Sequence, residues 1–146
     1  MKLKMYFRSL LEELFREYEK QYPPMYFIFQ KVKEQFVCTD INECLLQALH
    51  QQREDYIGHT VDTARSIGDE AMKQKLKTIY SLAWTGKNII FCYFPVENVD
   101  IFMIMYLEPQ YVNQQVDRVR AHCASFQKNE FQGTFEHLEQ FVTFEL

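Results

Sequence analysis

Hydrophobic residues recur three and four apart over residues 2–22, where Leu3, Phe7, Leu10, Leu14 and Tyr18 form one stripe and Leu11, Phe15 and Tyr22 widen it. That period predicts an amphipathic helix. Arg8–Glu12 and Glu12–Arg16 support it as i,i+4 pairs on the polar face. Pro23-Pro24 ends the helix, because a residue before proline disfavours the α conformation. Met25, Ile28, Phe29, Val32 and Phe36 resume helical spacing, with Tyr26–Phe29 also readable as a short strand. Asp40 followed by Glu43 resembles a capping box ahead of Ile41, Cys44, Leu45 and Ala48. Tyr56, Ile57, Val61 and Ala64 predict a further helical stretch up to Gly68. Asp69 then reads as the N-cap of a helix with Met72, Leu76, Ile79, Tyr80 and Ala83 on its stripe, and Gly86 as its left-handed stop.

The pattern changes at residue 88. Asn88–Phe94 and Ile101–Leu107 are short apolar runs dominated by β-branched and aromatic residues, which predicts a hairpin. Both runs are apolar on both faces, so each needs cover on both sides; helices of the same chain are the expected cover, and an exposed face would mark a binding surface. Pro109 is expected to open a helix carrying Val112, Val116, Val119 and Cys123. Residues 134–142 suit a short helix, and Val142–Leu146 alternate like an edge strand that could join the hairpin in a sheet. The fold class that follows is α+β: a helical N-terminal layer packed on a small antiparallel sheet in the C-terminal half, expected as one globular domain over residues 1–146.

Composition narrows the functional classes. With 47% hydrophobic residues, 16% aromatics, four glycines and four prolines, the chain is neither disordered nor a low-complexity linker. The net charge of −4 is concentrated: residues 89–146 carry Arg118, Arg120 and Lys128 against eight carboxylates. Acidity of that kind repels phosphate and anionic lipid and attracts basic protein surfaces. The expected partner is therefore a basic protein, rather than nucleic acid or a membrane. Glu97, Asp100, Glu130, Glu136 and Glu139 are the candidate contacts. Glu97 and Asp100 lie in the hairpin loop, and Glu136 and Glu139 stand i,i+3 on the expected helix. Lys73 and Lys77 share a helix face, a pattern that a solvated surface explains.

Catalytic signatures are sparse. Four scattered glycines supply no phosphate-binding loop, and no GxSxG elbow occurs. Cys38, Cys44 and His50, and the neighbours His122-Cys123, lack the spacing that places two ligands on one metal, so no metal or cofactor is expected. His59 and Asp62 are the local candidates for a His–Asp dyad. Arg8, Glu12 and Glu13 interrupt any signal-peptide core, so a cytoplasmic setting with reduced thiols is expected. These features together suggest a small acidic protein-binding module, of the immunity-protein or inhibitor kind, that neutralises a basic nuclease-type partner through its carboxylates. A small enzyme using a Cys or His residue is the alternative.

Overall fold

The structure is a computed structural model that describes residues 2–64, 68–93, 100–131 and 142–145. Helix α1 (Lys2–Gln21) is followed by strands β1 (Met25–Val32) and β2 (Gln35–Ile41). Helices α2 (Glu43–Leu49) and α3 (Glu70–Trp84) come next, and then β3 (Ile89–Tyr93), β4 (Ile101–Val112), β5 (Gln115–Gln127) and β6 (Val142–Glu145). The strands form one antiparallel six-stranded sheet in the order β2-β1-β5-β4-β3-β6. The chain is thus α+β as expected, but the sheet is larger and begins in the N-terminal half.

The two-faced hairpin organises the molecule. Ile90 and Cys92 of β3, with Phe102 and Ile104 of β4, turn to one side and pack with Ala124 against Phe7, Leu11 and Phe15 of α1. Ile89, Phe91 and Tyr93, with Ile101, Met103, Met105 and Leu107, turn to the other side, where Met72, Leu76, Ile79, Tyr80 and Ala83 of α3 and Leu45, Leu46 and Leu49 of α2 cover them. Helices of the same chain therefore cover both apolar faces. The buried line of α1 runs Phe7, Leu11, Phe15, while Leu10, Leu14 and Tyr18 form its half-buried flank. The C-terminal residues 142–145 pair with β3, and so close the edge of the hairpin as expected.

Three expected helices are strands or turns. Residues 25–36 form β1 and the start of β2, joined by a two-residue turn in which Lys33 (φ 50°) and Glu34 (φ 68°) are both left-handed. Helical spacing misleads there because β1 is buried on both sides: Ile28 lies at 8% exposure and the adjacent Phe29, which faces α3, at 2%. Residues 109–123 are the end of β4, a turn at Asn113 (φ 53°) and Gln114 (φ 69°), and β5. Positive φ at both central positions is the hairpin geometry that matches strand twist. In β5 the alternation of Arg118, Arg120 and His122 with the buried Val119, Ala121 and Cys123 is the strand signal. Pro109 is tolerated because β3 ends opposite Leu107, so β4 has an open edge beyond it. In the stretch from Tyr56, Gly58 sits at φ +81° and the chain runs beside β2, where Gly58 N–H donates to Cys38 O and Cys38 N–H to His59 O. A helix has no place for those bonds. The expected helix over 134–142 lies outside the described residues.

The caps are as informative as the strands. Asp69 caps α3 by accepting from Met72 N–H at 2.9 Å. The cap of α2 is Asn42, not Asp40: its Oδ1 accepts from Leu45 N–H at 3.2 Å and from Tyr26 N–H at 3.1 Å, tying helix to strand. Asp40 instead lies within β2.

Two measurements test this packing. Ile104 is fully buried beneath α1, so Ile104→Asp places an unpaired charge there at a cost of several kcal/mol. Against a total stability of about 5–15 kcal/mol, circular dichroism should find the variant largely unfolded. Removing the α3 cap with Asp69→Ala should lower stability by about 1 kcal/mol in denaturant titration without changing the transition slope.

Candidate functional site

The inner face of the sheet does not close completely against the helices. A cavity of about 70 Å³ remains between β1, β2, β4 and α3. Its floor is the sheet, through Phe27 and Phe29 of β1, Phe36 and Cys38 of β2, Tyr93 of β3, and Met103 and Met105 of β4. Its roof is Leu45 and Leu49 of α2 with Leu76 and Tyr80 of α3, and its outer wall is the turn segment from Tyr56 through His59, Thr60 and Val61 to Ala64. That wall is held by the bonds to Cys38 and by a bridge between Val37 and Thr60.

Aromatic packing shapes the cavity. Tyr80 stacks on Phe29 with ring centroids 4.2 Å apart, and Phe36 meets both edge-on, at 5.5 Å from Phe29 and 6.1 Å from Tyr80. Trp84 extends the cluster at 6.0 Å from Phe36. Among the described residues, no Asp, Glu, Lys or Arg side chain lines the space. Its polar side chains among the described residues are Tyr80 of α3, Tyr93 of β3, Cys38 of β2, and Tyr56, His59 and Thr60 of the turn segment. Burial pushes the Cys38 thiol up to about 12 and Cys92, beneath α1, also up to about 12; it raises Cys123 and Tyr80 as well. All four groups stay protonated at neutral pH. A thiol without its proton is the nucleophile, so these cysteines are poor candidates for covalent chemistry.

The outer face carries a second, shallower concavity. Arg8, Glu12, Arg16 and Glu19 of α1 overhang Tyr106, Glu108 and His122 of the sheet around about 520 Å³ of open groove. Its charges are largely spent on each other: Arg8 Nε lies 3.0 Å from Glu12 Oε1, and His122 Nε2 lies 3.0 Å from Glu108 Oε1. Beside it the Arg120 guanidinium lies 3.9 Å over the Tyr26 ring. The groove is the more open to water of the two, whereas the described lining of the inner cavity is mostly apolar. The inner cavity is therefore the stronger candidate for a ligand.

The residues singled out from the sequence are dispersed. Asp100 is exposed in the turn before β4, and its carbonyl accepts from Lys128 N–H at 2.9 Å, which brings it near the short 3₁₀ turn holding the exposed Glu130. Glu97, Glu136 and Glu139 lie outside the described residues. His59 and Asp62 form no dyad: His59 Nδ1 faces Thr63 Oγ1 at 3.2 Å, and Asp62 pairs with Lys77 Nζ at 2.7 Å. Lys73 lies 3.9 Å from Glu70. Strand geometry sends His122 to the outer face and Cys123 to the inner one, so the two neighbours share no site. Among the described residues no group of three His, Cys, Asp or Glu could hold a metal ion, and no helix is long and apolar enough to cross a membrane. The cavity itself escaped sequence reasoning. Its nearest signal was the excess of rings among the apolar residues.

No protein-family model matches the chain, and no curated protein matches it in sequence. Its fold is nonetheless similar to a solved one. A sensory box sensor histidine kinase from Vibrio cholerae superposes with a TM-score of 0.53 over 84% of this chain and 94% of that chain, at 15% identity. The PAS domain of an HTR-like protein from Haloarcula marismortui gives a TM-score of 0.48 over 84% and 96%, at 12% identity. The first likeness places the fold with that of the sensory box structure. It overturns the expectation of an immunity protein or inhibitor. Negative charge on a small chain pointed to phosphate mimicry, but net charge speaks to solubility and association, not to fold.

The buried thiols generate a pH dependence. An unfolded cysteine titrates near 9.0, whereas folded Cys38 and Cys92 titrate at about 12. Between these values the unfolded chain has released protons that the native chain retains, so stability is complete below pH 9 and is lost as pH rises toward 12. Thermal melting should therefore fall across that window, and the Cys38→Ala, Cys92→Ala double variant should show a shallower fall.

Proposed function

We propose that this chain is a sensory domain: it takes a small molecule into the inner cavity and transmits occupancy through the sheet to a protein partner. The observation that carries the reading is an aromatic-lined, mostly apolar cavity between sheet and α3, with no Asp, Glu, Lys or Arg among its described lining, in a fold that the sensory box structure shares. Such a site binds and releases rather than reacts, because its thiol is held protonated. The sheet offers a route outward. Met105 lines the cavity, and the next residue, Tyr106, packs against the α1 side, with its ring centroid 6.1 Å from Phe15. A ligand that displaces β4 acts on both cores.

The partner remains a protein in this proposal, and a basic one suits the exposed Asp100 and Glu130 at one end of the sheet. Catalysis is not part of the role. The setting proposed for the chain is cytoplasmic.

Ligand binding to the native state raises the melting temperature by mass action. A thermal-shift screen of small neutral compounds against the full chain should return stabilising members. Ala64→Phe, which fills the cavity from the turn segment, should abolish their effect while still melting cooperatively. A screen with no stabilising compound, or an Ala64→Phe protein that responds like the parent, overturns the proposal.

A further inference from the structure

We infer that the outer face of the sheet carries a proton-controlled exchange, in which Glu108 pairs with His122 when that imidazole is charged and with Arg120 when it is neutral. The exchange lies across the sheet from the inner cavity and needs no ligand there.

Strand register sets up the competition. Arg118, Arg120 and His122 turn outward from β5, and Tyr106 and Glu108 turn outward from β4. The two strands are aligned with Glu108 opposite Arg120 and Tyr106 opposite His122. Opposite charges placed directly across a strand pair attract. Here they do not meet. Glu108 Oε1 reaches diagonally to His122 Nε2 at 3.0 Å, while the Arg120 guanidinium turns away to lie 3.9 Å over the Tyr26 ring of β1.

Arg120 is left short of acceptors. Among the described residues, its Nε is the buried side-chain nitrogen or oxygen without a hydrogen-bond partner. The ring beneath it offsets part of that loss but supplies no lone pair. Two cationic side chains therefore flank one carboxylate, and the carboxylate serves one of them.

Other charges nearby are engaged elsewhere. From α1, Arg8 lies 3.0 Å from Glu12, and Arg16 and Glu19 line the groove without an ion pair to Glu108 or His122. Arg118 is held by Asp117 at 2.9 Å, and on β2 Asp40 lies 3.8 Å from Arg53. Tyr106 stays protonated, because burial and then the carboxylates of Glu108 and Glu19 raise its hydroxyl.

The proton decides between the two partners. A guanidinium is charged throughout the physiological range, whereas an imidazole changes charge between about pH 5 and 8. Below that range His122 is a cation whose hydrogen bond among the described residues is to Glu108, and Arg120 has a ring to rest on. Above it the imidazole offers a neutral N–H, and the charge-assisted bond to Arg120 is the stronger of the two. The His122 and Glu108 side chains are 24% and 45% exposed, so water weakens either pairing and neither locks out the other. The exchange lifts the guanidinium off Tyr26 and frees the His122 ring, whose centroid lies 5.7 Å from that of Tyr106. Tyr106 in turn packs beside Phe15, so the change reaches α1.

The test follows the full chain, with ¹³C-labelled arginine and histidine, by NMR from about pH 5 to 8.5. The Tyr26 ring shields the Arg120 side chain, so its Hδ signal should start upfield. It should move toward the ordinary arginine position as pH rises, with the same midpoint as the His122 ring. Glu108→Gln removes the shared carboxylate and His122→Gln removes the titrating ring, so in each the Arg120 signal should hold one position throughout. A parent signal that does not move with pH overturns the inference, as does either variant in which the movement persists. A through-space effect of the His122 charge alone would survive Glu108→Gln and is distinguished in that way. Should one variant fail to fold, the other decides, and none of these outcomes bears on the inner cavity.

Discussion

The hairpin of β3 and β4 is apolar on both faces, and a strand of that kind has to be covered twice. Every larger feature of the molecule answers this requirement. One side is met by α1, whose Phe7, Leu11 and Phe15 lie over Phe102 and Ile104. The other is met by α3 and α2, over Met103, Met105 and Leu107. A helix is a cylinder and a twisted sheet is a saddle, so two helices do not seal the inner face to its edge. The gap is finished by the turn segment around residues 56–64, pinned to β2 through Gly58 and His59. The cavity lies where these three kinds of cover meet. It is a product of the layering, and the rings at its wall keep it from collapsing.

Much of this was legible in the residues. The helix over the first turns of the chain, the Asp69 cap, the Gly86 stop and the two-faced hairpin all follow from period and capping chemistry, because each is a local signal. The failures are equally physical. Lys33 and Glu34 occupy left-handed positions that favour glycine or asparagine, so nothing in those two residues announced a hairpin. Asn113 was a usable signal, and it was outweighed by valines that happened to fall at helical intervals. In β1 the adjacent burial of Ile28 and Phe29 imitates the i,i+3,i+4 pattern, since a central strand buried on both sides no longer alternates.

The site was less visible than the fold. A cavity is defined by residues from β1, β2, β4, α2, α3 and a turn, and no spacing along one segment encodes their meeting. Charge was the loudest feature of the sequence, and it drew attention to carboxylates that are not among the described lining of the cavity. Of the C-terminal carboxylates among the described residues, Asp100 and Glu130 are exposed and Glu108 lies in the outer groove, whereas the described lining of the inner cavity carries none. His59 lines that space beside Thr63 rather than Asp62, a pairing that becomes clear only once the segment is seen as a turn and not a helix.

The two-residue turns at Lys33-Glu34 and Asn113-Gln114 carry a further consequence. In an ordinary half-buried sheet, a strand that slips by one residue exposes its apolar face, and that penalty holds the alignment. Through the middle of β4 the penalty is weak, because both faces are apolar and a slipped strand still buries hydrophobic groups on either side. Alignment there is instead set by a tight turn together with one irregularity in each pair: β4 and β5 step in register between Gln110 and Tyr111, and β1 and β2 between Ile28 and Phe29. Which residue of β5 lies opposite a ring or a methionine of β4 is thus decided jointly by the turn at Asn113 and Gln114 and by the step beside it. The extra residue on β5 at that step, Asp117, is therefore part of the register: removing it would change which side chains meet across β4 and β5 while leaving the apolar residues of each strand untouched.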